Sequence, residues 1–377
     1  MNHLSAFIGV VFLLAQISTA QVIQPSQTCG ECHKRSFFDW QTSQHAKSES
    51  NPFFLQMLQT LQEEESGRLA KCQGCHMPLK SLELDPLLQK KLSGESINCD
   101  FCHATDLKRK QGRLVFRVKD GKTKYGPLKD AIASSHECQY SPLFEKAEFC
   151  LSCHRTAQES HGEFFPRIGE EWHASKWAKI GVSCQDCHMP AITGVAAELG
   201  KLRNEIHSHS FLAGRSAAML RNSVSIDLTA ETIQDGFHLK VTLTNQKAGH
   251  SIPSGSPLRM LYLTVKAYDV NNSLIWSNWQ NDPLKEDPQS LLIQALTDDE
   301  SAAYALPWSA SGIAFDQRLR PGAPYTCEYL LPLATAARIE AELIYGLASS
   351  TLLEKFKLKN NPNYRQKPIN KAILRLL

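Results

Sequence analysis

Cys29-Gly-Glu-Cys-His33, Cys72-Gln-Gly-Cys-His76, Cys99-Asp-Phe-Cys-His103, Cys150-Leu-Ser-Cys-His154 and Cys184-Gln-Asp-Cys-His188 are five copies of Cys-x-x-Cys-His in one chain. The pentapeptide is the attachment signature of a c-type haem: two thiols add to the vinyl groups and the histidine binds the iron from one side. On a helical turn, positions i, i+3 and i+4 share a face, so the three groups meet one porphyrin. A single copy can be chance or half of a zinc site. Five copies, each with histidine directly after the second cysteine, predict five covalently bound haem c groups. Their thioether residues are Cys29, Cys32, Cys72, Cys75, Cys99, Cys102, Cys150, Cys153, Cys184 and Cys187. Their proximal iron ligands are His33, His76, His103, His154 and His188.

The motif starts lie 43, 27, 51 and 34 residues apart within the first half of a 377-residue chain. That is too little protein per haem for an ordinary apolar core, so the porphyrins themselves are expected to be the core. Such a region should not fold without its cofactors. The expected fold is α+β: a helix-and-loop multihaem domain over 21–215, then an antiparallel, immunoglobulin-like β-sandwich over 216–354, and a basic tail over 355–377. Residues 51–65 read as a helix with Pro52 in its first turn and a stripe of Phe54, Leu55, Leu58 and Leu61. Residues 113–125 read as a hairpin turning at Asp120-Gly121. Six β-rich stretches (224–230, 237–245, 259–270, 273–279, 325–333 and 339–347) carry the sandwich expectation. The tail reads as either a docked strand or a loose end.

Residues 1–20 have the pattern of a secretory signal peptide, apolar from Phe7 to Leu14 with small residues at Ser18 and Ala20. No later stretch is apolar enough to span a bilayer. A formal charge of +3 points to no nucleic-acid or membrane partner. Export to the periplasm or the cell surface fits haem attachment, which takes place outside the cytoplasm. Two of the twelve cysteines, Cys138 and Cys327, lie outside the motifs and either pair or remain buried thiols.

The second axial ligand decides the chemistry of each iron. Of eight further histidines past the signal segment, five are the better candidates. His45 follows the first motif on a helix. His136 lies between the third and fourth motifs. His207 and His209 flank Ser208 in an extended His-Ser-His and are read as a pair that could serve two haems. His250 sits in a glycine-flanked loop. His161, His173 and His238 are the weaker three. Met77 and Met189 adjoin proximal ligands, so neither can cross its own haem plane. They are expected to pack on neighbouring porphyrins, as are Phe37, Phe38, Trp40, Phe101, Trp172 and Trp177.

Several longer stretches carry a family resemblance. They are Trp40-x-x-Ser43-x-His45-Ala46, Cys72-Gln-Gly-Cys-His-Met-Pro78, Tyr125-Gly-Pro127 with His136, 141–154, 171–190 and His207-Ser-His-Ser-Phe211. In these the chain resembles the multihaem cytochromes of the cytochrome c-552/4 type, relatives of cytochrome c-554. The second half resembles the β-domain often fused to them, through Asn245-x-x-x-Gly-His-x-x-Pro-x-Gly255. The resemblance implies electron transfer outside the cytoplasm, closely packed haems, mostly bis-histidine ligation with His45 as a distal ligand, and less directly His136, His207 and His209. Its partners would be other cytochromes or a quinol-linked complex. The family also contains enzymes, so a reductase acting on nitrite, hydroxylamine or a sulfur oxyanion at one open haem is the alternative, and a docking subunit the third. Pentahaem nitrite reductases mark their catalytic haem with Cys-x-x-Cys-Lys, and no motif here ends in lysine.

Overall fold

The structure is a computed structural model. It describes residues 23–376 apart from 65–68, 82, 83, 85, 96, 111, 112, 119, 120, 155, 156, 159–163, 166, 300–303, 333 and 334. The expected signal segment and His161 lie outside the described residues.

The first half is a series of short helices. They are α1 (Ser26–Gly30), α2 (Lys34–Thr42), α3 (Pro52–Glu64), α4 (Leu69–His76), α5 (Pro86–Lys91), α6 (Cys99–His103), α7 (Ala147–His154), α8 (Ile168–Ala174), α9 (Lys176–Lys179) and α10 (Cys184–His188). A haem motif needs only one turn, and four of the five motifs lie within or end a helix. The Asn98 side chain accepts the Phe101 amide and so caps α6, and Ser183 and Asp186 form a capping box on α10. Asn51 starts α3 by accepting the amides of Phe53 and Phe54. The buried face of α3 differs from the expected stripe. Phe53, Met57 and Leu61 pack against Trp308, Leu353, Phe356 and Tyr364 of the second half. Leu55 points to solvent, because the docking face follows the i, i+4, i+8 row.

Strands β1 (Thr105–Lys110) and β2 (Arg113–Val118) form an antiparallel hairpin. β3 (Thr123–Gly126) instead pairs in parallel with β4 (Glu137–Tyr140). The hairpin expected over 113–125 is therefore corrected. Gly121 does take a left-handed φ of 71°. However, Lys122 accepts the Glu137 amide and Tyr125 accepts His103 Nδ1–H, and these bonds hold β3 away from β2. Short pairs β5 (Ala157–Gln158) with β6 (Phe164–Phe165) and β7 (Ala191–Val195) with β8 (Leu202–His207) complete this half.

After α11 (Ala217–Ser223) the chain becomes β-rich. The strands are β9 (Val224–Ile233), β10 (Gly236–Asn245), β11 (Met260–Tyr268), β12 (Leu274–Ser277), β13 (Leu291–Leu292), β14 (Gln294–Thr297), β15 (Gly312–Asp316), β16 (Pro324–Leu331), β17 (Arg338–Gly346) and β18 (Lys367–Arg375). One sheet has the order β16-β10-β9. The other runs β12-β11-β17-β18, with β13 also on β11. Both are antiparallel and share one core, in which Leu239, Val241 and Leu243 of β10 meet Leu261, Leu263, Val265, Ile339, Ala341 and Leu343. All six expected β-rich stretches are strands. The tail is a docked strand: β18 pairs with β17, Ile369 is buried, and the Asn370 amide bonds Arg221 and Val224 carbonyls. Truncating Leu263 to alanine in this core is expected to cost about 2–5 kcal/mol, measured as a lower urea midpoint.

All twelve cysteines are free of disulfides. Cys327 is buried in the core between the two sheets, with its thiol directed at Gln289 O, and burial pushes it up to about 12. Cys138 instead lies beside His136 in the first half. The two are held by different cores, so the bridge considered from the sequence does not form.

Candidate haem-binding sites

The five motifs open onto one connected space of about 3730 Å³. A single small-ligand pocket holds roughly 300–1,000 Å³, so this volume suits several bulky groups rather than one. Ile132 and Leu199 line it with their side chains almost wholly bare. Bare aliphatic side chains inside a cavity call for an apolar occupant. Leu199 sits beside the first motif, where the Glu198 amide bonds Cys32 O, and Ile132 sits on the segment that delivers His136.

Several histidines are oriented as ligands. Nδ1 of His33 bonds Ala196 O, that of His103 bonds Tyr125 O, and that of His188 bonds Leu212 O. A carbonyl only accepts, so Nδ1 carries the proton in each ring and the Nε2 lone pair is left for a metal. Outside the motifs, Nδ1 of His136, His209 and His250 donates to Glu137 O, His207 O and Ser251 O. Burial lowers His45 and His209 to about 4 and His154 to about 3, and also lowers His76, His103 and His250. These rings are therefore neutral, the ligand form, at neutral pH.

Four motif histidines face a second imidazole. Ring centroids are 6.2 Å apart for His33 and His136, 6.0 Å for His154 and His45, 6.1 Å for His103 and His209, and 6.1 Å for His188 and His250. Direct stacking would bring them closer. With a metal–nitrogen bond of about 2.0–2.1 Å and a ring centre roughly 1.1 Å behind each nitrogen, two imidazoles on one ion have centroids about 6.2–6.4 Å apart. The residues present thus fit four irons held between two histidines. Among the described residues no histidine ring faces His76 in this way. Its imidazole is stacked on Phe54, with centroids 4.3 Å apart, which leaves no room for an ion between those rings.

The structure therefore brings together His45, His136, His209 and His250 with motif histidines, and it does not do so for His207. In the extended His207-Ser208-His209 run only the second imidazole meets a motif ring, while Nδ1 of the first bonds Met189 O. His173 is exposed against its own neighbour Trp172, and His238 bonds Glu328 on the β-sheet surface. Phe37, Trp40, Phe101, Trp172, Trp177 and Met189 line the haem space. Phe38 is corrected to a solvent-facing residue, and Met77 is buried outside the lining. Sequence reasoning missed Phe54, Phe144 on His103 and Phe211 on His45. No local pattern announces them.

The motifs also abut. Cys29 lies close enough to Cys99, Cys75 to Cys153 and Cys150 to Cys184 for each thiol to alter the other's ionisation. Cys102 is close enough to Cys150 and Cys153 to affect their ionisation, and His154 feels both His76 and His188. The fourth site thus neighbours the second, third and fifth, and the first neighbours the third.

Residues 28–104 match the family model described as cytochrome c554 and c-prime. The crystal structure of a penta-heme cytochrome c552 from Thermochromatium tepidum is similar over 94% of this chain and 99% of its own, with 24% sequence identity and a TM-score of 0.78. At that identity the likeness concerns the fold. No curated protein matches the chain.

Proposed function

We propose that this chain, a multihaem c-type cytochrome of the cytochrome c554 type, carries electrons between redox partners outside the cytoplasm through five covalent haem c groups. Haem iron bound at the five motifs supplies reversible one-electron exchange. The chain's own residues set where each iron lies and what it can bind. His33 with His136, His103 with His209, His154 with His45 and His188 with His250 would each hold one iron between two imidazoles, which would leave it no place for a substrate. The observation that carries the reading is the contact between motifs: first to third, third to fourth, and fourth to both second and fifth. That order is a continuous path with three ends.

One observation favours a second reading. His76 has no facing imidazole among the described residues, so its iron is the candidate for a sixth position open to nitrite, hydroxylamine or a sulfur oxyanion. The carrier reading expects complete reductive titration, electron exchange with a partner cytochrome or a quinol-linked complex, and no sustained turnover of those small substrates. Turnover well above that of free haem would replace it with the reductase reading.

Other support is structural. Among the described residues no helix is long and apolar enough to cross a membrane. The signal-like first 20 residues and the haem motifs favour export. The sheet order β16-β10-β9 facing β12-β11-β17-β18 around one core supports reading the second half as an immunoglobulin-like sandwich. That half then has a redox role of its own, because its loop delivers His250.

A further inference from the structure

Two stretches of the first half are built alike. Asp39-Trp40-Gln-Thr-Ser43-Gln-His45-Ala46-Lys47 and Glu171-Trp172-His-Ala-Ser175-Lys-Trp177-Ala178-Lys179 share an acid, a tryptophan, a serine three residues on, a ring two further, then Ala-Lys. Ser43 and Ser175 end their helices with nearly equal backbone angles, φ −74° and ψ 168° against φ −75° and ψ 162°. Each serine amide bonds the tryptophan carbonyl, at 2.8 and 2.9 Å, and each hydroxyl accepts the amide of the following alanine, Ala46 or Ala178.

The likeness extends to distant partners. The Trp40 indole donates to Ile97 O and the Trp172 indole to Val182 O, in each case two residues before the first cysteine of a motif, Cys99 or Cys184. That cysteine lies near the first cysteine of the motif preceding the stretch, Cys29 or Cys150, on neighbouring helices. The acids match as well. Asp39 Oδ2 accepts the His209 amide at 3.3 Å and the Ser208 hydroxyl at 2.7 Å. Glu171 Oε2 accepts the Ser251 amide at 2.8 Å, and its other oxygen takes Arg318 at 2.7 Å. His209 faces His103 of the motif that begins at Cys99, and His250 faces His188 of the motif that begins at Cys184.

We infer that the first half contains two copies of one two-haem unit, and that Asp39 and Glu171 are equivalent positioning residues, each holding the backbone beside the distal histidine of its unit's second haem. This rests on His209 and His250 being iron ligands. A fixed carboxylate gripping a peptide N–H at the ligand or next to it restricts the loop that must hold the imidazole at bonding distance.

The differences between the copies follow. The Cys72 motif, whose histidine alone lacks a facing imidazole among the described residues, lies in the connection between the first stretch and its second site, where the second copy has no motif. At the ring position, His45 reaches the first site of the second copy, His154, and so joins the copies. Trp177 stands there in the second copy and cannot bind iron. The β-half loop lies over it instead: a Cβ added to Gly249 would stand 3.0 Å from Trp172 Cδ1 and 3.4 Å from Trp177 Cδ1. Arg318 and Asp316 of the second half complete the grip on Glu171.

The test compares spin states and haem potentials in the intact holoprotein of H250A, E171A, E171Q, H209A and D39A. H250A should convert one haem to high spin, which checks the ligand reading by itself. E171A should give high-spin signal on that same haem and shift its midpoint potential, leaving the other four unchanged. E171Q keeps an acceptor for the Ser251 amide and should stay low-spin. D39A should affect a different single haem, the one H209A opens, and the double D39A/E171A variant should show both. Should H250A open a haem while E171A leaves it low-spin at an unaltered potential, the positioning role is wrong. Disturbance of all five haems alike in both E171A and E171Q would also overturn it. No change in H250A would overturn the ligand reading instead.

Discussion

Protein produced without haem attachment is expected to lose the fold of its first half while keeping that of its second. The two halves bury very different cores. The shared core of the two sheets draws on side chains from seven strands, with Leu239, Leu261, Leu263, Ile339 and Leu343 fully enclosed. The first half has only small clusters, such as Ile23 with Leu79, Leu92 and Phe101, around the 3730 Å³ space. Its helices are mostly five to nine residues long, below the length at which isolated helices hold in water. Among the described residues these clusters are too small to offset the ordering entropy of that half. The haem-free chain should therefore lose most of its helical circular dichroism, and limited proteolysis should remove the first half and leave a fragment beginning near residue 222. Native-like helical signal and protease resistance without haem would show that the polypeptide alone suffices.

The second large effect is expected from His45→Ala. His45 is half-buried, packs on Phe211 at 4.3 Å and faces His154, whose site neighbours three others. Losing this imidazole opens the junction of the path and removes the link between the two halves of the motif array. One further haem should become high-spin, its potential should rise, and electron transfer between the ends should slow. Added imidazole should restore the low-spin spectrum, because the cavity left by the side chain fits it. A low-spin fourth site in H45A would show that another group ligates there.

The five motifs are legible because covalent haem attachment demands a strict local spacing. The imidazoles that face their histidines are less so. His136 lies beyond two further motifs from His33, and His209 more than 100 residues from His103, so only the assembled fold pairs them. Spacing alone does not separate His207 from His209; the grip of Asp39 on Ser208 and His209 accompanies the choice. The Asp120-Gly121 signal described a turn correctly at Gly121 but not its strand partner, because β3 answers to β4 and His103. The duplicated stretch was present in the sequence as acid-Trp-x-x-Ser, yet four identities over two distant segments gain meaning only when the same hydrogen bonds recur.

The most direct test of the account is magnetic circular dichroism of the ferric protein as isolated, with haem content determined on the same sample. Five haems per chain are expected, with those at His33, His103, His154 and His188 low-spin under two histidine ligands. Fewer than five haems, or high-spin signal from two or more of them, would contradict this.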